Sequence, residues 1–368
     1  MSDVKIPQRK IIKLQITTLV RLLGSMANTE VASTSTSSKD DDCVWIELDH
    51  LLARARDQGW AVDVDKECTL ERVLGKGSGG EARLARWRGA LCVVKLVKPI
   101  DALARMAFIR ECSIMARLRH PNVLSFYGFG VDAEEKKCAI VCEYANGGTL
   151  KAWLYGGKRQ PLRARLEVAL GIARGMDYLS SRNVLHRDLK PSNVFMKGDL
   201  PVIADFGLAR FFAADGEEIT GETGTYIYMA PEVIKSQHYD SRADVYSFGV
   251  LLCELVTSTE PFQPHNSTGI QIATAVADKG FRPKISDDVH AGMRAIIEMC
   301  WQQDANSRPH FAQVLESLEH MVPDIVREEE AKLAAQRESP SFQTKALNNL
   351  SSTFADWSNK ISEYTSIR

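Results

Sequence analysis

His186-Arg187-Asp188-Leu189-Lys190-Pro191-Ser192-Asn193 is the stretch whose reading decides the fold, because it sets a carboxylate, an ammonium and a carboxamide within one octet. Asp188 can orient and deprotonate an attacking hydroxyl, Lys190 can sit beside a transferring phosphate, and the amide oxygen of Asn193 can bind a metal. Taken alone, the octet could still be a polar loop after a helix. The phosphoryl-transfer reading therefore makes a demand: a glycine-rich turn and a strand lysine must precede it, and a metal-binding Asp must follow. Gly75-Lys76-Gly77-Ser78-Gly79-Gly80, Lys95 and Asp205-Phe206-Gly207 supply these in the required order.

Composition narrows the class. The chain has 45% hydrophobic and 25% charged residues, enough for a sizeable core. Its net charge of -1 gives no basic field for nucleic acid or for a strongly basic membrane-binding face. The eight cysteines include no C-x-x-C pair and no histidine partner at metal spacing, so they read as reduced thiols of an intracellular protein. The apolar run 250–256, interrupted by Glu254, is far shorter than the roughly 20 residues of a bilayer span.

Outward from the octet, residues 161–179 carry Leu162, Leu166, Ala169, Leu170, Ala173, Met176 and Leu179 on one helical face leading into it. Residues 69–74, 82–87, 91–97 and 139–144 read as strands, and residues 101–118 as a helix bearing Glu111. Between the first two strands the missing glycine side chains let backbone N–H groups approach phosphates. Trp45, Leu48, Leu51, Leu52 and Ala55 recur at helical spacing before Gly59, predicting a flanking helix within 43–66 whose apolar face covers the neighbouring domain or a partner. Residues 28–42, rich in Ser, Thr and Asp, read as a linker. Residues 10–26 are apolar, basic and free of acids. Such a segment fits a targeting or membrane-surface helix, a helix docked on the domain, or a start at Met26. The expected organisation is thus a disordered or targeting-like segment 1–42, the flanking helix 43–66, a catalytic domain 67–321, and a C-terminal helix and tail 322–368.

With Met229-Ala230-Pro231-Glu232, the run from Asp244 to Gly249 and Ser307-Arg308-Pro309 added, residues 67–320 resemble a eukaryotic protein kinase domain. Lys190-Pro191-Ser192 is similar to serine/threonine kinases, while Gly147 to Leu150, Cys300-Trp301 and Arg308-Pro309 have a tyrosine-kinase flavour. That mixture resembles the tyrosine-kinase-like group, Raf-like and mixed-lineage kinases included. The resemblance implies an α+β, two-lobed fold: a five-stranded antiparallel sheet plus one helix above a mainly helical lobe, with ATP between.

The resemblance also assigns roles. Leu74, Gly75, Lys76, Gly77, Gly80, Ala82, Val93, Cys142, Glu143, Ala145 and Phe195 would surround the nucleotide, with adenine on the Glu143 carbonyl and Ala145 N–H. Lys95, held by Glu111, would grip the inner phosphates, and Asn193 with Asp205 would hold Mg2+. Asp188, Lys190 and Thr225 would act on the acceptor and the phosphoryl group. Asp244 would brace the catalytic loop and Glu232 would pair with Arg308. Thr220, then Thr223, would be activating phosphorylation sites for an upstream kinase. The protein is expected in the cytoplasm, with a protein substrate carrying Ser or Thr acceptors as its partner; oligomeric state is not legible. The pattern departs from its relatives at Gly79, where an aromatic is common, at the exchanged pair Ala82 and Val93, which keeps total volume, and at Phe195. Cys142, before the hinge, is small enough to open a back pocket; its thiol reads as a buried small hydrophobe, with a target for electrophiles as the alternative. A pseudokinase scaffold and a dual-specificity or tyrosine kinase are the competing readings.

Overall fold

The computed structural model describes residues 37–77, 80–98, 102–132, 137–211, 226–263 and 267–338. The chain divides into two compact units, Met1–Ser317 and Leu318–Arg368, and everything below concerns the first unless stated. In chain order, α1 (Ser37–Asp57) and the single turn α2 (Val64–Glu67) precede β1 (Cys68–Gly77), β2 (Gly80–Trp87) and β3 (Ala90–Val97). After them come α3 (Ala102–Met115), β4 (Phe126–Asp132) and β5 (Lys137–Glu143).

The five strands form one antiparallel sheet in the order β1-β2-β3-β5-β4. The alternation of β3 explains its two faces. Cys92 and Val94 point into a buried cluster with Val62, Ala85, Ala139 and Val141. Val93 and Lys95, one position out of phase, pair with Cys142 and Ile140 on the opposite face. Leu74 is the extra residue of a bulge between Val73 and Gly75, so the β1–β2 hairpin bends where the glycine-rich turn begins.

Helices dominate after β5. α4 (Leu150–Tyr155) and α5 (Leu162–Ser181) lead to the short strands β6 (Val184–Leu185), β7 (Val194–Lys197), β8 (Leu200–Ile203) and β9 (Arg210–Phe211). Then follow α6 (Pro231–Ile234), α7 (Arg242–Thr257), α8 (Gly269–Lys279), α9 (Ala291–Cys300) and α10 (Phe311–Glu338). On α5 the positions Leu166, Ala169, Ala173, Met176 and Leu179 are buried as their spacing predicts, while Leu162 and Leu170 stay partly exposed at the margin.

The expected organisation differs from the structure in several places. The flanking helix begins at Ser37, so residues 37–42, expected as linker, form its first turns. The expected boundary between Met321 and Val322 falls inside α10. β4 was absent from the strand pattern, because Gly128 and Gly130 interrupt it. The segment beside β4 explains those glycines: Val62 N–H donates to the Phe129 carbonyl at 2.9 Å and Phe129 N–H to the Trp60 carbonyl at 3.0 Å. A Cβ on Gly128 would collide with the Trp60 carbonyl, and one on Gly130 would lie 2.5 Å from the Val62 carbonyl oxygen. No helix among the described residues is long and apolar enough to cross a membrane. The segment 1–36 and the tail 339–368 lie outside the described residues.

Candidate active site

The octet His186 to Asn193 forms the loop between β6 and β7, and its position is set from beneath by α7. Asp244, buried in that helix, accepts from the backbone N–H groups of His186 (2.7 Å) and Arg187 (2.8 Å). Burial raises the Asp244 carboxyl, against the opposing pull of His186, Arg187 and the two N–H donors. The His186 ring lies between loop and strand: Nε2 donates to the Ala204 carbonyl at 2.9 Å and Nδ1 accepts from Asp188 N–H at 3.3 Å, which fixes one tautomer. Its edge meets the buried Phe206 ring at 5.4 Å. Arg187 and Asp205 both adopt left-handed backbone (φ 70° and 64°), conformations that non-glycine residues keep only where surrounding contacts impose them.

Within this frame Asp188, Lys190 and Asn193 converge. Asn193 Nδ2 donates to the Asp188 carbonyl at 2.9 Å and to Oδ2 of its carboxylate at 2.7 Å, and Lys190 Nζ reaches the same oxygen at 2.8 Å. The other oxygen, Asp188 Oδ1, is buried without a hydrogen-bond partner among the described residues. A carboxylate anchored through one oxygen and bare at the other is poised to accept a proton or hydroxyl from a ligand.

Lys95, Glu111 and Asp205 form the second group. Lys95 Nζ meets Glu111 Oε1 at 2.8 Å, joining β3 to α3. Burial works against the Lys95 charge, but the carboxylates of Glu111 and Asp205 beside it prevail and raise its pKa, so the ammonium is secure. A Cβ on Gly207 would lie 3.4 Å from Asp205 Oδ1 and 3.8 Å from Glu111 Oε2, which places both carboxylates around that glycine.

The remaining nucleotide-contact candidates sit along the same sheet face and the chain leaving β5. Gly75 pairs with Ala82 across the first hairpin, Gly77 with Gly80, and exposed Lys76 bonds Glu81 at 2.7 Å. Ala82 pairs with Lys95 and Val93 with Leu84, so the exchanged pair are diagonal neighbours on one face. Glu143 is tied by its carboxylate to Ser125 N–H (2.8 Å), Ser125 Oγ (2.9 Å) and Lys197 Nζ (2.7 Å). Burial opposes its ionisation, yet Lys197 and the Ser125 donors outweigh that and hold the carboxyl below its usual value. Ala145 is buried, and Phe195 on β7 bridges to Thr149. Cys142 is buried, and burial pushes its thiol up to about 12, which favours the buried-hydrophobe reading over the reactive one. Ser78, Gly79, Thr220, Thr223 and Thr225 lie outside the described residues.

The expected Glu232–Arg308 pair is bidentate, at 2.6 and 2.8 Å, and fully enclosed. A cluster not foreseen anchors the other side of the segment entering α6. Glu254 accepts from the hydroxyls of Tyr155 and Tyr228, each at 2.7 Å, and Ser247 Oγ donates to the Tyr228 carbonyl at 2.8 Å. Its signal in the sequence was the lone acid inside the apolar run 250–256.

The donor chemistry suits a hard cation. With its NH2 group committed to Asp188, Asn193 keeps its carboxamide oxygen, and Asp205 offers an exposed carboxylate; oxygen donors of this kind match Mg2+. Against known proteins, residues 68–318 match the family model described as protein tyrosine and serine/threonine kinase. The chain is 37% identical over 281 residues to the serine/threonine-protein kinase STY17 of Arabidopsis thaliana, covering 74% of this chain and 48% of that protein. It is 39% identical over 261 residues to the serine/threonine-protein kinase VIK of the same plant (67% and 58%). To the dual specificity protein kinase shkC of Dictyostelium discoideum it is 34% identical over 267 residues (70% and 52%). The chain spans about half the length of these curated relatives.

Proposed function

The chain belongs to the protein tyrosine and serine/threonine kinase family, and from that premise we propose that it transfers the γ-phosphoryl group of ATP to Ser and Thr hydroxyls of protein substrates. The observation that carries this reading is the Asp188 carboxylate, fixed at Oδ2 by Asn193 and Lys190 and, at Oδ1, without a hydrogen-bond partner among the described residues. Oδ1 orients the acceptor hydroxyl and takes its proton as the oxygen attacks phosphorus. Lys190, at the same carboxylate, faces the moving phosphoryl group and offsets its charge. Lys95 holds the inner phosphates and is itself kept charged and aimed by Glu111. Asn193 and Asp205 would hold Mg2+, which supplies charge neutralisation across the phosphate oxygens. The Glu143 carbonyl and Ala145 N–H receive adenine, with Val93, Ala82, Cys142 and Phe195 around the ring and Leu74, Gly75, Lys76, Gly77 and Gly80 over the phosphates. Positioning and fixed charges account for most of the acceleration.

Retention of Lys95, Asp188, Asn193 and Asp205 in one connected arrangement favours an enzyme over a pseudokinase scaffold. Thr225 steadies the loop in this proposal, and Thr220, then Thr223, are the sites an upstream kinase modifies, with Arg187 as a partner for the added phosphate. A cytoplasmic signalling role belongs to the same proposal; Cys68, Cys92, Cys112, Cys138, Cys142, Cys253 and Cys300 are free thiols, the state that a reducing compartment maintains.

Acceptor choice is tested by incubating the full chain with ATP and Mg2+ on peptide arrays that differ only in Ser, Thr or Tyr. Labelling of Ser and Thr, with Tyr at background, is the expected result. Equal labelling of Tyr would establish dual specificity, a reading supported by the name of the Dictyostelium relative.

A further inference from the structure

Glu254 on α7 is 1% exposed, and Lys151, the cation that acts on it, pairs instead with Glu260 at 3.4 Å. The two oxygens of Glu254 are divided between two hydroxyls. Oε1 accepts from Tyr155 at the end of α4, and Oε2 from Tyr228 in the turn Tyr226–Tyr228. Tyr228 is held a second time, through its carbonyl, by Ser247 two turns earlier on α7. The turn continues directly into Met229 and Ala230, which line a small cavity with Arg187 of the catalytic loop and its brace Asp244. What Glu254 ties down therefore borders the loop bearing Asp188, where an acceptor chain must lie to bring its hydroxyl to Oδ1.

This geometry depends on a proton. As an anion, Glu254 accepts at both oxygens and both tyrosine hydroxyls are matched. As an acid, one oxygen becomes a donor, and one tyrosine proton loses its acceptor inside the protein. Burial opposes the charge and the two hydroxyls favour it, with the balance at about 7. Around it, Glu260 beyond α7 raises the carboxyl and Lys151 on α4 lowers it. Cys253, adjacent in α7, is a thiol pushed up to about 12, and Arg165 from α5 donates to the carbonyls of Leu255 and Val256.

We propose that Glu254 is a proton-operated switch on the acceptor side of the site: its anion draws Tyr155 and Tyr228 together and sets the turn for a protein substrate, and its acid form releases one arm. The proposal rests on the kinase reading, which places the acceptor chain beside this turn. Tyr155, Tyr228 and Glu254 are accordingly positioning residues. They act on the binding of the acceptor, not on that of ATP.

The test is the pH dependence of substrate binding. In the full chain, at saturating ATP, the KM for a Ser-containing peptide without His is expected to fall about fivefold from about pH 6 to about pH 8, while the KM for ATP changes less than about twofold. Glu254→Gln carries one donor and one acceptor at every pH, so it should keep the high peptide KM of the acid form throughout. Tyr155→Phe removes a hydroxyl that favours the anion, so the midpoint of the profile should move to higher pH. A purely structural role would change the level of KM and leave the midpoint in place. Parallel profiles for wild type and Glu254→Gln, or a midpoint that Tyr155→Phe does not move, would overturn the proposal. If Glu254→Gln does not fold, the Tyr155→Phe midpoint decides alone. Amide exchange supplies a readout that needs no activity. Corrected for the intrinsic effect of pH, residues 226–233 should be better protected at the higher pH in wild type and equally protected at both in Glu254→Gln, with residues 166–179 unchanged. No gain in the wild type, or the same gain in the variant, would also overturn it. A wild-type chain that transfers no phosphate would refute the proposed function, and the exchange comparison would still decide this inference.

Discussion

Asp188 sits in a loop held by buried polar contacts from several directions, whereas Glu111 meets the strand residue Lys95 through one ion pair, from a helix that apolar packing holds in place. Beneath the catalytic loop, Asp244 takes two backbone donors, His186 spans Asp188 and Ala204, and Glu232 with Arg308 closes the lobe. The helix that carries Glu111 buries Phe108 and Cys112 and packs against the outer helix α1. Buried polar contacts are directional and costly to leave half-made, so they fix one geometry. Apolar packing is less directional, so a helix held by it can shift when a packing partner is removed. The difference implies that the lower half of the site is built in place and the upper half is adjustable.

The sharpest way to break this comparison is at Glu232. Glu232→Ala would strand the Arg308 guanidinium in the interior, and a loss of about 3–5 kcal/mol in denaturant unfolding is expected, the usual cost of breaking a buried pair from one side. A loss below about 1 kcal/mol would mean that the lower lobe is not held in this way.

Glu254 tests the same lobe through pH. Burial pushes its carboxyl up to about 7 from an ordinary 4.5, against the two tyrosine hydroxyls, so the folded chain holds a proton that the unfolded chain releases. The native state therefore binds more protons between these values, and this group's contribution to stability falls as pH rises from 4.5 towards 7. Lys151 and Glu260, paired at 3.4 Å, are the other charged groups acting on it. Relative to Glu254→Gln, the wild type should lose up to about 1.4 kcal/mol per pH unit across that window. Parallel stability profiles for the two proteins would contradict the assignment.

In the upper half, Glu111→Gln is expected to lower kcat about ten- to a hundredfold with a change of less than about 1 kcal/mol in unfolding, because Lys95 keeps partial exposure and the Asp205 carboxylate beside it. A variant with unchanged kcat would show that Lys95 needs no partner. The smallest effect is expected at Cys142: electrophile labelling at neutral pH should be the same in wild type and Cys142→Ser, given a thiol held near 12.

What could be read from the sequence follows the same division. The catalytic loop and Asp205 were legible because phosphoryl transfer demands particular residue types at particular places, whereas Asp244 and the Glu232–Arg308 pair were legible only through the family resemblance. Lys95 and Glu111 were legible by spacing, and Gly59 as the stop after α1. The contact of Trp60 with β4 was not, since a few extended residues carry no period and Gly128 and Gly130 hide the strand they adjoin. The two-tyrosine cage of Glu254 was also hidden: the lone acid in an apolar run signals burial, but its partners Tyr155 and Tyr228 are 99 and 26 residues away in the chain.

The most direct measurement is the single-turnover rate of Mg2+-dependent phosphate transfer from ATP to a Ser- or Thr-containing protein, in wild type and Asp188→Asn, with ATP affinity measured on both. Wild-type transfer that falls at least about a thousandfold in the variant, at nearly equal ATP affinity, is the predicted result. ATP binding without transfer in the wild type, or equal transfer by both proteins, would contradict the account.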